Sequence, residues 1–169
     1  MQTTLFNDYK SYKTPEENHI NAFPVVAEIK LSYSPVIKAC DRPKVSTSRD
    51  CELHFRKTWN PDTLELFEEF KIMYLNRGNR VLGIYPLSVG GITGTVADPR
   101  LILAAALLTS CSGLVLAHNH PSSNLTPSQS DIDLTKKIKN ACKYHEIQLL
   151  DHMIITATSY FSFADSGIL

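Results

Sequence analysis

The residues of this chain whose types and spacing could do chemistry are His118-Asn119-His120 and, after a seven-residue gap, Ser128-x-x-Asp131. In an extended segment successive side chains alternate faces, so His118 and His120 point the same way and bring two imidazoles to one place. Ser128 and Asp131 have the form of a capping box that opens a helix, and the intervening loop folds that first turn back beside the histidines. An aspartate joining two histidines makes a two-imidazole, one-carboxylate set with a position left for water, the donor pattern of catalytic rather than structural zinc. Each half has an ordinary reading by itself. A histidine at a strand end is commonly a surface residue, and a capping box needs no chemistry. The two halves together, at this spacing, favour a metal. Asp133 is a poor substitute ligand, because two helical positions turn its side chain about 200° away from Asp131.

Elements must bring these groups together. Gly113 restarts the chain as Leu114-Val115-Leu116-Ala117, a short unbroken apolar run typical of a strand covered on both faces, and that strand delivers His118 at its end. A helix is predicted over residues 128–144, with Ile132, Thr135 and Ile138 inside and Lys136, Lys139 and Lys143 on another stripe. Strands over residues 148–156 and 160–164 follow, the second with Tyr160, Phe161 and Phe163 expected in the core. Upstream, alternation predicts a strand over residues 25–33 that Pro35 ends. Ser48 as N-cap, with Cys51, Phe55 and Trp59 at a spacing of four, predicts a helix over residues 49–59. A second short helix is expected after Asn60-Pro61-Asp62, running toward Glu68.

Residues 70–75 and 81–85 flank Asn76-Arg77-Gly78-Asn79-Arg80 as a hairpin in which Gly78 or Asn79 takes positive φ. Gly90, Gly91 and Gly94 mark a bend before Asp98, an N-cap followed by Pro99 at the first helical position. The helix so begun, residues 100–110, is rich in Leu and Ala and expected to be mostly buried. Interleaved helices and a hairpin meander define an α/β (α+β) sandwich whose sheet is mixed, largely antiparallel and flanked by helices.

With 169 residues and 43% hydrophobic composition the chain has room for one domain with a core. Its division is expected near residue 45, leaving residues 1–44 as an N-terminal extension with one strand. The 17 basic and 17 acidic side chains cancel, so no net field draws the chain to nucleic acid. Any DNA contact would rest on the Lys136, Lys139 and Lys143 stripe and would be weak. Cys40, Cys51, Cys111 and Cys142 are scattered without a Cys-x-x-Cys pair and read as reduced thiols, which suits a cytoplasmic protein. The start, Met1 to Asp8, shows no secretory pattern, and the apolar run at 101–108 falls far below the roughly 18 residues of a membrane span, so no membrane partner is expected. Asp151 and His152 sit in an otherwise apolar strand and read as hydrogen-bonding residues, with orientation of a ligand histidine as the alternative. His19, His54 and His145 read as surface residues.

The pattern His-x-His, seven residues, Ser-x-x-Asp resembles the signature of the JAB/MPN (JAMM) metalloproteins. His118-Asn119-His120-Pro121-Ser122, Thr126-Pro127-Ser128, Leu149-Leu150-Asp151-His152 and Tyr160-Phe161-Ser162-Phe163-Ala164-Asp165 resemble the RadC-like branch, over about residues 45–169. Ser123 departs from it, where such proteins usually carry Gly. The resemblance implies a JAB/MPN, cytidine-deaminase-like sandwich, a Zn2+ cofactor, and hydrolysis of an amide bond in a peptide or isopeptide-linked protein. It also implies a glutamate at the start of the strand preceding the hairpin as general acid/base, matched by Glu69 with Glu68 as the neighbouring alternative, and an oxyanion contact from Ser128. The family name carries a second implication, a non-enzymatic DNA-repair accessory with a structural or vestigial metal. No counterpart of the helical N-terminal module of longer RadC proteins is expected, and oligomeric state and substrate identity carry no sequence signal.

Overall fold

A computed structural model describes residues 32–90 and 95–169, and within them every α-helix starts at a side chain that caps it. Helix α1, Ser48–Arg56, is opened by Thr47, one residue earlier than expected, whose hydroxyl accepts from the Asp50 amide while the Asp50 carboxylate accepts from the Thr47 amide. Helix α2, Pro99–Leu108, begins at Asp98 with proline at its first position. Helix α3, Gln129–Lys143, begins at Ser128 with Asp131 as the reciprocal partner. Such boxes satisfy amide groups that the first helical turn leaves free.

Among the described residues, five strands form one sheet in the order β2-β1-β3-β4-β5. They are β1, Glu69–Leu75; β2, Val81–Val89; β3, Gly113–Asn119; β4, Gln148–Ile155; and β5, Tyr160–Ser162. Only β3 and β4 pair in parallel, so the sheet is mixed and largely antiparallel. The β1–β2 hairpin turns at Asn76–Arg80 with Asn79 rather than Gly78 at positive φ, 55°.

Strand alternation sorts the core into two layers. Phe70, Ile72, Tyr74, Leu114 and Leu116 pack against Ile102 and Ala106 of α2 and Ile138 and Cys142 of α3. Met73, Leu75, Val115, Ala117, Met153 and Ile155 pack on the other face against Cys51 and Phe55 of α1 and against Trp59 and Leu64. The β3–β4 register shifts between Leu114 and Val115, where Leu114 faces Leu149 and Val115 faces Asp151. This bulge resets the alternation of β4 and pairs His152 with Leu116, on the α2–α3 side.

Two expectations need correction. Residues 61–66 form turns rather than a helix, because the carbonyls of Leu64 and Phe67 are taken by the Asn119 side-chain amide. Helix α2 buries only Ile102 and Ala106 fully, and Leu101 and Leu107 stand about half exposed, at 50% and 53%. Of the strand expected at 25–33, residues 25–31 lie outside the described residues, while Ser32 and Tyr33 are not in a strand. Residues 91–94 of the glycine-marked bend likewise lie outside them. The four cysteines are free thiols, and among the described residues no helix is long and apolar enough to cross a membrane.

Candidate metal centre

His118 enters the site from the most buried strand of the sheet. All seven residues of β3 are buried, and Phe70 of β1, in register with His118, lays its ring parallel to the imidazole at 5.9 Å between centroids. The His120 amide donates to the Ile155 carbonyl at 3.0 Å, so the extended backbone persists one residue past β3. Both imidazoles therefore reach the same side, as the two-residue spacing requires, with Nε2 atoms 3.0 Å apart.

The loop that follows aims His120. Its Nδ1 lies 2.6 Å from the Asn124 carbonyl, which can only accept, so Nδ1 carries the proton and Nε2 of the neutral ring is bare. Ser123 sits at φ 60° in this turn. That left-handed conformation costs a non-glycine residue about 1–2 kcal/mol.

Asp131 supplies the third donor from the first turn of α3. Its Oδ2 accepts from the Ser128 amide at 2.7 Å and the Ser128 hydroxyl at 2.6 Å, while Oδ1 points at His118 Nε2, 3.5 Å away. Oδ2 itself lies 3.8 Å from His120 Nε2. A tetrahedral ion with bonds of about 2.0–2.1 Å would hold its donors roughly 3.3 Å apart, and the separations here, 3.0 to 3.8 Å, straddle that value. His118, His120 and Asp131 could therefore hold a metal, and they are the one such group of three among the described residues. The electrostatics agree. A bare imidazole nitrogen and a carboxylate oxygen converge with His118 Nε2 on one point, which in this arrangement suits a cation. Asp133 lies outside the group, on the exposed face of α3, where it accepts from the Gln129 side chain at 2.9 Å.

Burial holds His118 neutral, with its pKa pushed down to about 4 despite the opposing pull of Asp131. His152, also fully buried, is held well below the ordinary value by burial first and by His118 and His120 next. The two rings meet at His118 Nδ1 and His152 Nε2, 2.9 Å apart, and His152 Nδ1 lies 2.6 Å from the Thr135 hydroxyl. His152 thus contacts a candidate ligand histidine, which sequence offers as the alternative to a structural role. Its neighbour Asp151 does not: it points to the α1 side and binds the Ser162 hydroxyl at 2.6 Å and the amides of Ala164 and His152.

The two glutamates separate by strand parity. Glu69 shares the α1 face with Lys71 and Met73, and its Oε2 lies 2.9 Å from Lys71 Nζ. Lys71 in turn donates to the Thr58 carbonyl and covers the Trp59 ring at 4.4 Å. This turns the Glu69 carboxylate away from the histidines. Glu68, two residues before Phe70, has the opposite parity and so faces the side of the sheet that carries the histidines. Burial raises its pKa, with His120 lowering it and Asp131 raising it again. The alternation Glu68-Phe70-Ile72-Tyr74 places Glu68 on the face of Phe70 and hence of His118.

Asn119, between the two histidines, points to the opposite face and ties the Glu68 segment down. Its Nδ2 donates to the carbonyls of Leu64 and Phe67 at 2.6 and 2.7 Å. Its Oδ1 accepts from Trp59 Nε1 at 3.1 Å and from the Glu69 amide at 2.7 Å. Ser128 is placed where sequence expected it, but its hydroxyl proton is engaged with Asp131 Oδ2 and its oxygen accepts from the Asp131 amide at 3.2 Å.

A mixed sheet with helices on both faces, carrying two histidines from a strand and an aspartate from a helix's first turn, defines a JAB-type domain. Residues 46–168 match the family model described as the RadC-like JAB domain, and the chain belongs to that family. A UPF0758 protein of Flavobacterium johnsoniae is 50% identical over 101 residues, covering 60% of this chain and 44% of that protein. A UPF0758 protein of Porphyromonas gingivalis is 37% identical over 150 residues, covering 88% of this chain and 65% of that protein. The matched stretches thus span between 44% and 65% of the length of these two curated relatives.

Proposed function

We propose that this chain is a zinc-dependent peptidase or isopeptidase that hydrolyses an amide bond, with Glu68 as general acid/base. The observation that carries the reading is the convergence of His118, His120 and Asp131 as a three-donor set that leaves a position open, with the partly buried Glu68 on the same face of the sheet. Neutral imidazoles with one carboxylate match zinc's preferences better than those of magnesium, which favours oxygen donors alone. Bound zinc would polarise a carbonyl and acidify a coordinated water. The protein's own residues do the rest. Glu68 takes the proton of the attacking water and returns it to the leaving amine, a role helped by a pKa raised toward the working pH. Asp131 is held by Ser128 so that Oδ1 alone faces His118. An oxyanion contact from Ser128 would need its proton released from Asp131 Oδ2, so the cap is its first role.

The substrate class is a peptide or isopeptide-linked protein in the cytoplasm. Binding of DNA stays weak in this reading, since Lys139 of the basic stripe already donates to the Leu169 carbonyl at 3.1 Å. The test uses zinc-loaded protein against a panel of fluorogenic peptide and isopeptide substrates. Glu68→Gln should lose activity by roughly 10²-fold or more with zinc content unchanged, whereas Glu69→Gln should keep most of its activity. Full activity in Glu68→Gln with zinc bound removes Glu68 as the base. A zinc-loaded wild type that cleaves no member of the panel sinks the hydrolase reading and favours the accessory role.

A further inference from the structure

We infer that His152 and Thr135 form a relay that fixes His118 as the Nδ1–H tautomer and leaves its Nε2 bare, with the relay ending on the backbone carbonyl of Asp131. The inference concerns the metal-free protein, and its use for catalysis rests on the function proposed above.

Directionality decides each step. The Thr135 hydroxyl lies 2.5 Å from the Asp131 carbonyl oxygen, an acceptor only. A hydroxyl has one proton, so if that proton lies toward the carbonyl, Thr135 Oγ1 must accept from its other neighbour, His152 Nδ1, at 2.6 Å. In the reverse arrangement, with the hydroxyl donating to His152, two oxygens would face each other at 2.5 Å with no proton between them. His152 then carries its proton on Nδ1, and its bare Nε2 accepts from His118 Nδ1 at 2.9 Å. That leaves His118 Nε2 without a proton, facing His120 Nε2 and Asp131 Oδ1, three acceptors that a shared cation would satisfy, as nothing could between the oxygens of Thr135 and Asp131.

Aromatic stacking also holds the rings in place. Phe70 stacks on His118 with 2° between planes, and Phe163 stacks on His152 at 4.8 Å and 21°. What the stacking cannot choose is the tautomer, since an imidazole presents the same outline with its proton on either nitrogen. Thr135 makes that choice, and it does so from α3, the helix whose first turn also carries Asp131. The helix therefore sets two ligands at once: Asp131 directly, and His118 through Thr135 and His152. His120 reaches the same protonation pattern by a shorter route, through the Asn124 carbonyl. Ligand histidines in metal sites generally donate their second N–H to a fixed acceptor, often a carboxylate. Here the acceptor is a neutral imidazole, so no extra negative charge is placed behind the site.

The test is long-range proton–nitrogen correlation NMR of the histidine rings in metal-free protein at neutral pH, combined with zinc affinity by chelator competition. Wild type should show Nδ1–H with bare Nε2 for both His118 and His152. Thr135→Val keeps the side-chain shape and removes the oxygen, so the pair should redistribute toward Nε2–H and zinc affinity should fall about 10- to 100-fold. Thr135→Ser restores the hydroxyl and should restore both readouts. Nε2–H on His118 in the wild type, or unchanged tautomers in Thr135→Val, overturns the relay. A wild type with the expected tautomers that binds no zinc leaves the relay standing and overturns the metal function instead.

Discussion

His118 and Asn119 are adjacent in the chain, both fully buried, and end up in two contrasting polar clusters on opposite faces of one sheet. On the α1 face, Asn119 uses both amide protons and both oxygen lone pairs within the protein, and Lys71 is matched by Glu69, a carbonyl and a ring. On the α2–α3 face, ring nitrogens and a carboxylate oxygen turn toward one another instead of toward donors. Buried polar atoms normally find partners. A buried cluster that is complete within itself holds the fold, and one whose acceptors converge is shaped for something to be added. The metal-free protein should therefore lose stability when the first is cut and little when the second is.

The largest effect is expected at Asn119. Asn119→Ala strands two carbonyls, the Trp59 indole N–H and the Glu69 amide, and should cost about 3–5 kcal/mol in denaturant unfolding. A loss below about 1 kcal/mol would break the contrast between the faces. A middle-sized effect is expected from pH in the metal-free protein. The folded pKa of His118 is about 4 against an ordinary 6.5, and that of His152 is lowered too, so between these values the unfolded chain binds more protons. Stability should then fall as pH falls from about 6.5 toward 5, by up to about 1.4 kcal/mol per pH unit for each histidine. The raised carboxyls of Glu68 and Asp151 act in the opposite sense, nearer the ordinary carboxylate range. Unfolding free energies that are flat from pH 7 to pH 5 would contradict the burial of two neutral imidazoles. The smallest effect is expected at His120, a half-buried residue with one loop contact. His120→Ala should change metal-free stability by less than about 1 kcal/mol. A larger loss would mean that the open cluster is structural as well.

What was legible in sequence follows the same division. His118, His120 and Asp131 could be read because their convergence is set by local rules: two residues along a strand, and the third position of a helix opened by its own capping box. The hairpin was legible from Asn76 to Arg80, and the buried strand from its unbroken apolar run. Glu68 and Glu69 look alike in sequence, because a single step in strand phase exchanges the faces, until the register of Phe70 against His118 is known. The expected helix after Asn60 failed because its carbonyls were claimed by Asn119, some 50 residues away. Sequence places Thr135 on the inward side of its helix and gives His152 two roles, structural or orienting. Joining them needed the bulge in β4, which no local pattern announces.

The central claim, that the converging cluster is a metal centre, is tested most directly by titrating the metal-free protein with cobalt(II) and following its visible absorption. The account predicts one equivalent bound per chain with bands of a four- or five-coordinate site, displaced by one equivalent of zinc, abolished in His120→Ala and retained in Asp133→Ala. The contradicting result is no binding by the wild type, or the same binding in His120→Ala as in Asp133→Ala.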